Sequence, residues 1–545
     1  MNSAILVILD GFGIGPVGSG NAISQAVPPT INSLIHLYPN TQLVASGESV
    51  GLPKNEVGST EVGHLNIGAG RIVYQSLPRI NLAIADGSFY RNEAFLGTLA
   101  HVSKTGGNIH LIGLVGSGTV HASIDHLYAL MYFFKENKFD RINMNIITDG
   151  RDSSPRSAKN YLENLEMKIK EMGIGKIISI MGRYYAMDRD KRWPRIEKAY
   201  RCLTEGIGKK AMSWREAIDI SYSEGKTDEF VEPTNIVNES GTPLDLIKPG
   251  DAIIFFNYRI DRPRELTKAF VLPSFETDAN QVSYDPYATK YEGSHIVQKA
   301  VFEQPFTRGK KIDNLYFVTM TEYERNLPTI VAFPPHIIHM PLGRVLSQRQ
   351  MPQLRMAESE KERFVTFYFN GLREISFPYE DRIIIPSPKV ATYDLKPEMS
   401  ATELTEILIK KIYEDKYRFI LVNFANPDMV AHTGNLKAAI SAIKSIDTCL
   451  KSLIDCVLNT SYTLFITADH GNIEEMIDPK TGLASTEHSG NPVPFYVINS
   501  RLKGTNSVLQ SGILADIAPT ILSLLHIPIP SDMTGRNLLE DIHAY

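Results

Sequence analysis

The chain has 545 residues, a formal net charge of −5, 43% hydrophobic residues and 21% charged residues. That length exceeds what one hydrophobic core serves and predicts at least two domains, and the apolar fraction excludes a disordered chain. The acidic balance gives no general attraction to nucleic acid or anionic membranes, so an anionic ligand must be met by a local basic cluster.

In chain order, short apolar runs alternate with helical stretches, the pattern of an α/β fold. Ala4–Leu9 is the first predicted strand; it lacks a basic flank and stops at Asp10, which excludes a signal peptide. Further strands are expected at Ile109–Val115, Ile142–Ile147, Ile177–Ile180, Ala252–Phe256, Leu315–Met320, Phe419–Phe424, Thr463–Ile466 and Phe495–Ile498. Several are apolar throughout, as strands covered on both faces are. The proline-bearing stretches Gln75–Arg79 and Val331–His336 read as connections. Leu272–Phe306 is polar and aperiodic and reads as a surface insertion. Ser400 and Glu403 form a capping-box pattern at the head of ATELTEILIKKIYED. Asn435–Leu458 spaces Leu436, Ile440, Ile443, Leu450, Leu453 and Val457 as one amphipathic helix. No segment approaches the ~20 apolar residues of a membrane span. Cys202, Cys449 and Cys456 make no CxxC pair, which suits a reducing cytoplasm, and Cys449 and Cys456 read as buried core thiols. A soluble, cytoplasmic protein is expected.

Three clusters come directly after apolar strands: Asp10 after AILVIL, Asp428 and His432 after FILVNFANP, and Asp469 and His470 after TLFIT. Strand carboxyl ends are where open α/β sheets assemble their sites. His488 follows in the loop STEHSGNPVPF. Carboxylates with imidazoles suit Mn²⁺, Zn²⁺ or a similar divalent ion, and the lack of cysteine ligands disfavours a structural zinc. Any one of these residues alone reads as a turn, a cap or a structural histidine; three strand-end clusters together point to a metal centre. GSTEVGHLNIGAGR (Gly58–Arg71) is either a phosphate cradle or a glycine-rich turn capping a helix. Arginines recur in TDGRDSSP (Arg151, beside Asp152), GRYYAMDRDKRWPR (Arg183, Arg189) and FFNYRIDRPR (Arg259, Arg262). All follow predicted strands and can converge on a small anion, although interleaved aromatics also leave nucleic acid open.

At these residues the sequence resembles the cofactor-independent phosphoglycerate mutases of the alkaline phosphatase superfamily. The motifs that carry the likeness are VILDGFG, GHLNIGAGR, DGRD, GRYYAMDRD, NFANPDMVAH, SPKVATYDLKPEMS, TADHGN, EHSGNPVP and GILADIAPT. The resemblance implies a discontinuous phosphatase-like, metal-binding domain, 1–75 and 337–545, and an inserted α/β phosphotransferase domain, 76–336, that binds substrate. It implies one metal held by Asp428, His432 and His488, and another by Asp10, Asp469, His470 and a nucleophilic hydroxyl. Substrate would be held by His121, Arg151, Asp152, Arg183, Arg189, Arg259, Arg262 and Lys361, with Asp152 and Lys361 taking part in catalysis. The implied reaction interconverts 3- and 2-phosphoglycerate through a phosphoenzyme in glycolysis and gluconeogenesis. It would use two divalent ions, Mn²⁺ first among Mg²⁺, Co²⁺ and Zn²⁺, and no 2,3-bisphosphoglycerate. Arginines and metals on different domains imply hinge closure during turnover, and a hinged enzyme needs no partner, so a monomer is expected.

One departure stands out. The family pattern GNSEVGH reads here as Gly58-Ser59-Thr60-Glu61-Val62-Gly63-His64, so Thr60 takes the place of the nucleophilic serine and Ser59 that of the asparagine. A threonine hydroxyl can perform the attack, but its methyl restricts χ1 and crowds the site. Ser59 is the rival nucleophile. The alternatives are an impaired or non-catalytic phosphoglycerate-binding homologue, and a related metal-dependent phosphatase or phosphopentomutase.

Overall fold

The computed structural model describes residues 2–281, 303–335, 337–478, 480–505 and 507–540. The chain forms two compact units, one of residues 1–78 and 336–545, the other of residues 79–335. Among the described residues each unit is built on an eight-stranded mixed sheet.

In the first unit the order is Glu380–Ile385, Gln353–Glu358, Phe419–Phe424, Ser3–Leu9, Tyr462–Thr467, Val493–Ile498, Asn40–Val44, Gly512–Ile513. The first five run parallel, and Val493–Ile498 is antiparallel to both its neighbours. Ser3–Leu9 and Phe419–Phe424 are buried at every position, the burial that their mostly apolar sequence, broken only by Ser3 and Asn423, requires in a sheet covered on both faces. Because Ser3–Leu9 lies between Phe419–Phe424 and Tyr462–Thr467 with all three parallel, the loops after them leave from one edge of the sheet. Helix Leu436–Val457 begins as the sequence indicates, with the Asn435 side chain accepting from the Ala438 amide, and Cys449 and Cys456 are buried on it.

The second unit has the order Ile330–Phe333, Tyr316–Thr321, Ala252–Phe255, Ile109–Val115, Ile142–Thr148, Lys176–Gly182, Thr234–Ile236, Lys209–Ala211. Only the Lys176–Gly182/Thr234–Ile236 pairing is antiparallel.

Four local expectations are corrected. Gln75–Arg79 does hold the boundary between the two units, at 78/79, but as part of helix Ser76–Ala85 rather than as a loop, with Pro78 in the first turn, where no amide is missed. Val331–His336 likewise holds the second boundary, at 335/336, but its first three residues belong to the edge strand Ile330–Phe333, which ends where the prolines begin. The capping box at Ser400 does not form. The Ser400 hydroxyl donates to the Pro386 carbonyl and its amide to Glu358, so helix Ala401–Tyr413 starts without a side-chain cap. The described ends of Leu272–Phe306 are packed rather than superficial: Phe275 and Phe306 are buried with ring centroids 4.9 Å apart, and the Trp193 indole donates to Asn280. Residues 282–302 of that stretch lie outside the described residues. Among the described residues no helix is long and apolar enough to cross a membrane.

Candidate active site

In the first unit, the segments after three adjacent parallel strands deliver Asp10, Asp428 (in helix Asn426–Ala431) and Asp469, all buried. Helix Thr60–Ala69 points its first turn at them, with Thr60 at its first position. Gly63 makes that approach feasible: a β-carbon there would lie 2.5 Å from the Asp469 carbonyl oxygen. The Thr60 Oγ1 lies 3.2 Å from Asp10 Oδ1, 3.0 Å from His470 Nε2 and 3.2 Å from Lys361 Nζ. The neighbouring Ser59 does something else: its hydroxyl accepts from the Val62 amide as the helix N-cap.

The three histidines share one arrangement. Nδ1 of His432 lies 2.8 Å from the Thr486 carbonyl oxygen, Nδ1 of His488 2.8 Å from that of Gly58, and Nδ1 of His470 3.2 Å from that of Gly471. A carbonyl only accepts, so each ring carries its proton on Nδ1 and, when neutral, aims the Nε2 lone pair inward. There the acceptors crowd: His432 Nε2 is 3.2 Å from His488 Nε2 and 3.2 Å from Asp428 Oδ1, and His470 Nε2 is 3.5 Å from Asp10 Oδ1. Donor atoms this close together are placed where a shared cation could be held. The donors fall into two groups, Asp428–His470–His488 and Asp10–Asp469–His470, each with ligand atoms within 4.8 Å of one another. Oxygen and imidazole donors in buried clusters fit divalent ions.

Lys361 enters the same cluster. Its buried ammonium donates to Asp10 Oδ1 (2.8 Å) and Asp428 Oδ2 (2.6 Å). Burial opposes its charge, but Asp10, Asp428 and Asp469 outweigh that and hold its pKa well above the usual lysine value. Burial likewise opposes ionisation of Asp428, and Lys361, His432, His488 and His470 overcome it, so its pKa falls well below the carboxylate range. In the metal-free protein burial works against protonated His470, yet Asp469, Asp428 and Asp10 lift its pKa to about 10. That lies above the 6.5 of an unperturbed histidine, so this group's stabilisation is complete below pH 6.5 and is lost as pH rises toward 10. Thermal melts of metal-stripped protein are therefore expected to show a Tm that declines across that window. His470→Gln should flatten the decline; an unchanged slope would refute the coupling.

Sequence reasoning missed the neutral partners that hold these carboxylates. Asn423 donates to Asp10 Oδ2 (2.7 Å) and Asn472 to Asp428 Oδ1 (2.8 Å). His64 Nδ1 lies 3.1 Å from Asp469 Oδ2. Asn423 was legible as the one polar residue late in FILVNF, and His64 as the helical i+4 partner of Thr60.

In the second unit, loops after Ile142–Thr148, Lys176–Gly182 and Ala252–Phe255 carry the arginines. Arg151, Arg183, Arg189 and Arg262 line one pocket with Tyr184 and Glu229. Burial, then the charges of Arg183, Arg189 and Arg151, push the Arg262 pKa below the usual guanidinium value, with Asp261 opposing. Buried Arg183 donates to Asp149 (2.6 Å) and Asp152 (2.5 Å). Asp261, which the sequence reading passed over, sits 3.3 Å from Arg189, 3.2 Å from Arg259 and 3.7 Å from His121 Nδ1. His121 Nε2 faces Asp152 at 3.8 Å. Burial and Arg183 lower the His121 pKa to about 4 despite Asp261 and Asp152, so its ring is neutral through the physiological range.

Carboxylates and imidazoles at the parallel-strand ends of a mixed sheet, around a buried hydroxyl, place the first unit in the alkaline-phosphatase-like class of metal-dependent enzymes. Residues 80–325 match the family described as BPG-independent PGAM N-terminus, and residues 270–485 that described as type I phosphodiesterase / nucleotide pyrophosphatase. The 2,3-bisphosphoglycerate-independent phosphoglycerate mutases of Moorella thermoacetica and Chloroflexus aggregans are each 48% identical to the chain, with 98% of both chains covered. A crystal structure of Leishmania mexicana phosphoglycerate mutase at low cobalt concentration aligns with TM-score 0.56 and 28% identity, over 98% of this chain and 97% of that one. The chain belongs to the 2,3-bisphosphoglycerate-independent phosphoglycerate mutases, isomerases of glycolysis that act on small phosphoglycerates.

Proposed function

We propose that this mutase interconverts 3- and 2-phosphoglycerate through a phosphothreonine at Thr60, with two divalent ions and without 2,3-bisphosphoglycerate. Asp428, His432 and His488 would hold one ion; Asp10, Asp469, His470 and the Thr60 hydroxyl would hold the other. Mn²⁺ is the ion we assign first, since mixed carboxylate and imidazole donors suit it. Bound cations would lower the pKa of the Thr60 hydroxyl and offset charge on the transferring phosphoryl oxygens.

The observation that carries the reading is the Thr60 hydroxyl, buried within 3.2 Å of Asp10, His470 and Lys361, while Ser59 is spent on capping a helix. Thr60 Oγ1, already deprotonated, forms the bond to phosphorus as the substrate's ester P–O bond breaks. Ionised Asp152 takes the proton of the neighbouring glycerate hydroxyl and passes it to the released oxygen, and the neighbouring oxygen attacks the phosphothreonine, which restores the Thr60 oxyanion. Lys361 supplies positive charge beside the transferring group. In the second unit, Arg151, Arg183, Arg189, Arg259 and Arg262 would hold the anionic glycerate so that it stays bound between the two transfers. Asp152 serves as the general acid and base for the glycerate hydroxyls, and neutral His121 orients them. Burial raises the Asp152 pKa, but hydrogen bonding and charge from Arg183 lower it further, so it rests ionised and ready to accept a proton. One chain supplies every residue named, so a monomer suffices, and three buried free thiols suit a reducing cytoplasm.

A coupled assay on metal-stripped protein tests this. Activity should return with Mn²⁺ and should be isomerisation rather than phosphate release. The Asp428 hydrogen bond, opposed by burial, raises the His432 pKa above its ordinary value, so metal must compete with a proton there. Mn²⁺ affinity is expected to weaken as pH falls through the histidine range. Full activity without metal, or phosphate release in place of isomerisation, would overturn the reading.

A further inference from the structure

Of the segments that carry the proposed metal ligands in the first unit, three are the loops of Asp10, of Asp469 and His470, and of His488, and one carboxylate outside the ligand set touches all three. Glu474 is buried, five residues beyond Asp469. Its Oε2 accepts from the backbone amides of Gly13, in the Asp10 loop, and Asn472, in the Asp469–His470 loop, both at 2.9 Å. Its Oε1 accepts from the hydroxyl of Ser489, next to His488, and from the Asn491 side-chain amide at 3.0 Å. Backbone bonds join the same segments: Ile473 N to Gly11 O (3.0 Å), Ser489 N to Gly471 O (2.9 Å) and Ile14 N to Pro492 O (2.7 Å). The loops close so tightly around the carboxylate that a β-carbon on Gly13 would lie 2.3 Å from Glu474 Oε1, and one on Gly471 2.4 Å from the same atom.

We propose that Glu474 is a positioning residue that fixes the Asp10, Asp469–His470 and His488 loops against one another, and so sets metal affinity without ligating metal. The inference rests on the ligand assignment proposed above. Ligands on separate loops bind a pair of neighbouring ions well only if the loops are held at a common spacing before the ions arrive, and partners behind the ligands supply that order. Asn472 carries the constraint further, since its side chain donates to Asp428 Oδ1.

The hydrogen-bond pattern makes a distinctive demand. The Oε2 position must accept, because both its partners are backbone amides. The partners at Oε1, a serine hydroxyl and a primary amide, can each reverse. A glutamine placed with its oxygen at Oε2 and its nitrogen at Oε1 therefore keeps the loops joined, whereas alanine releases all four bonds.

Mn²⁺ binding to the full chain, followed by equilibrium dialysis or by the EPR signal of free Mn²⁺, tests this without recourse to turnover. Glu474→Ala is expected to weaken Mn²⁺ binding by roughly 10–100-fold, while Glu474→Gln stays close to wild type. Asp447→Ala serves as the stability control: buried Asp447 accepts from the Thr30 and Ile31 amides, and its loss should lower Tm while leaving Mn²⁺ affinity intact. Wild-type affinity in Glu474→Ala overturns the proposal. So does an equal loss in Asp447→Ala, which would reduce the effect to general destabilisation, or an equal loss in Glu474→Gln, which would make charge rather than geometry responsible. If Glu474→Ala does not fold, Ser489→Ala removes one of the four donors and should weaken binding several-fold; no change there overturns the proposal too. Asp428→Ala separates the two readings. Mn²⁺ retained in that variant removes the ligand assignment and the positioning role with it, whereas Mn²⁺ lost there but kept in Glu474→Ala removes the positioning role alone.

Discussion

Thr60→Ala is expected to lower mutase turnover by on the order of 10⁶-fold, the scale on which loss of a nucleophile disables a group of residues acting as a unit. The hydroxyl has no substitute nearby. Ser59 is adjacent in sequence, but its φ of −143° and ψ of 160° place it outside the helix as N-cap, where its oxygen meets the Val62 amide 3.4 Å away. Thr60 begins the helix and turns its hydroxyl into the carboxylate cluster. Ser59→Ala should therefore cost about 1 kcal/mol of stability, as the loss of an N-cap does, and should keep most of the turnover. Thr60→Ser retains the oxygen and removes a methyl from a buried, crowded position, so its turnover is expected to equal or exceed that of wild type. Mass spectrometry of acid-quenched enzyme should find phosphate on Thr60. Phosphate on Ser59, or an active Thr60→Ala variant, would require a different nucleophile.

The sequence made the first unit's central strands legible because they are buried on both faces and therefore almost wholly apolar, as in AILVIL and, but for Asn423, FILVNF. Strand Gln353–Glu358 escaped the same reasoning. It is buried at all six positions, yet it reads QLRMAE. Its polar residues are partly compensated inside the unit: Arg355 donates to Gln353 (2.6 Å) through one nitrogen and lies over the rings of Phe369 and Phe419, while Gln353 donates to the Gly343 carbonyl. Hydropathy periodicity cannot see compensation of that kind. The missed strand leads into the turn that carries Lys361, which is why that lysine entered only through family resemblance. Clustered charge at strand ends was legible because each motif is contiguous. Asn472 and Glu474 were not, because their function lies in hydrogen bonds to residues distant in sequence, of which neither residue type carries a signal. The capping box at Ser400 failed for a related reason: its amide and hydroxyl are claimed by Glu358 and Pro386, partners that no local pattern reveals.

Removing the Arg183 side chain is expected to damage stability and turnover together, and the two losses can be separated. Arg183 and Asp149 are both almost wholly buried, and the guanidinium bridges Asp149 to the less buried Asp152. Asp149 also organises the turn after its strand, accepting from the amides of Arg151 and Asp152 and from the Ser153 hydroxyl. Arg183→Ala strands that carboxylate in a low-dielectric site, and breaking a buried pair in this way costs about 3–5 kcal/mol. For a unit of this size that corresponds to a Tm lower by roughly 6–20 °C in calorimetry. Asp152, whose folded pKa Arg183 depresses, contributes its stabilisation above the ordinary carboxylate pKa and loses it as pH falls through the depressed value. The acid limb of the stability profile should therefore be shallower in Arg183→Ala than in wild type. Adding Asp149→Asn removes the uncompensated charge and should restore much of the Tm. It should not restore turnover, because neither Asp152 nor the glycerate regains a guanidinium partner. Arg183→Lys keeps the charge without the fork, so it is expected to fall between wild type and alanine in Tm while remaining poor in turnover. A wild-type Tm in Arg183→Ala would mean that the pair contributes no net stability, and wild-type turnover in the double variant would remove Arg183 from the substrate site.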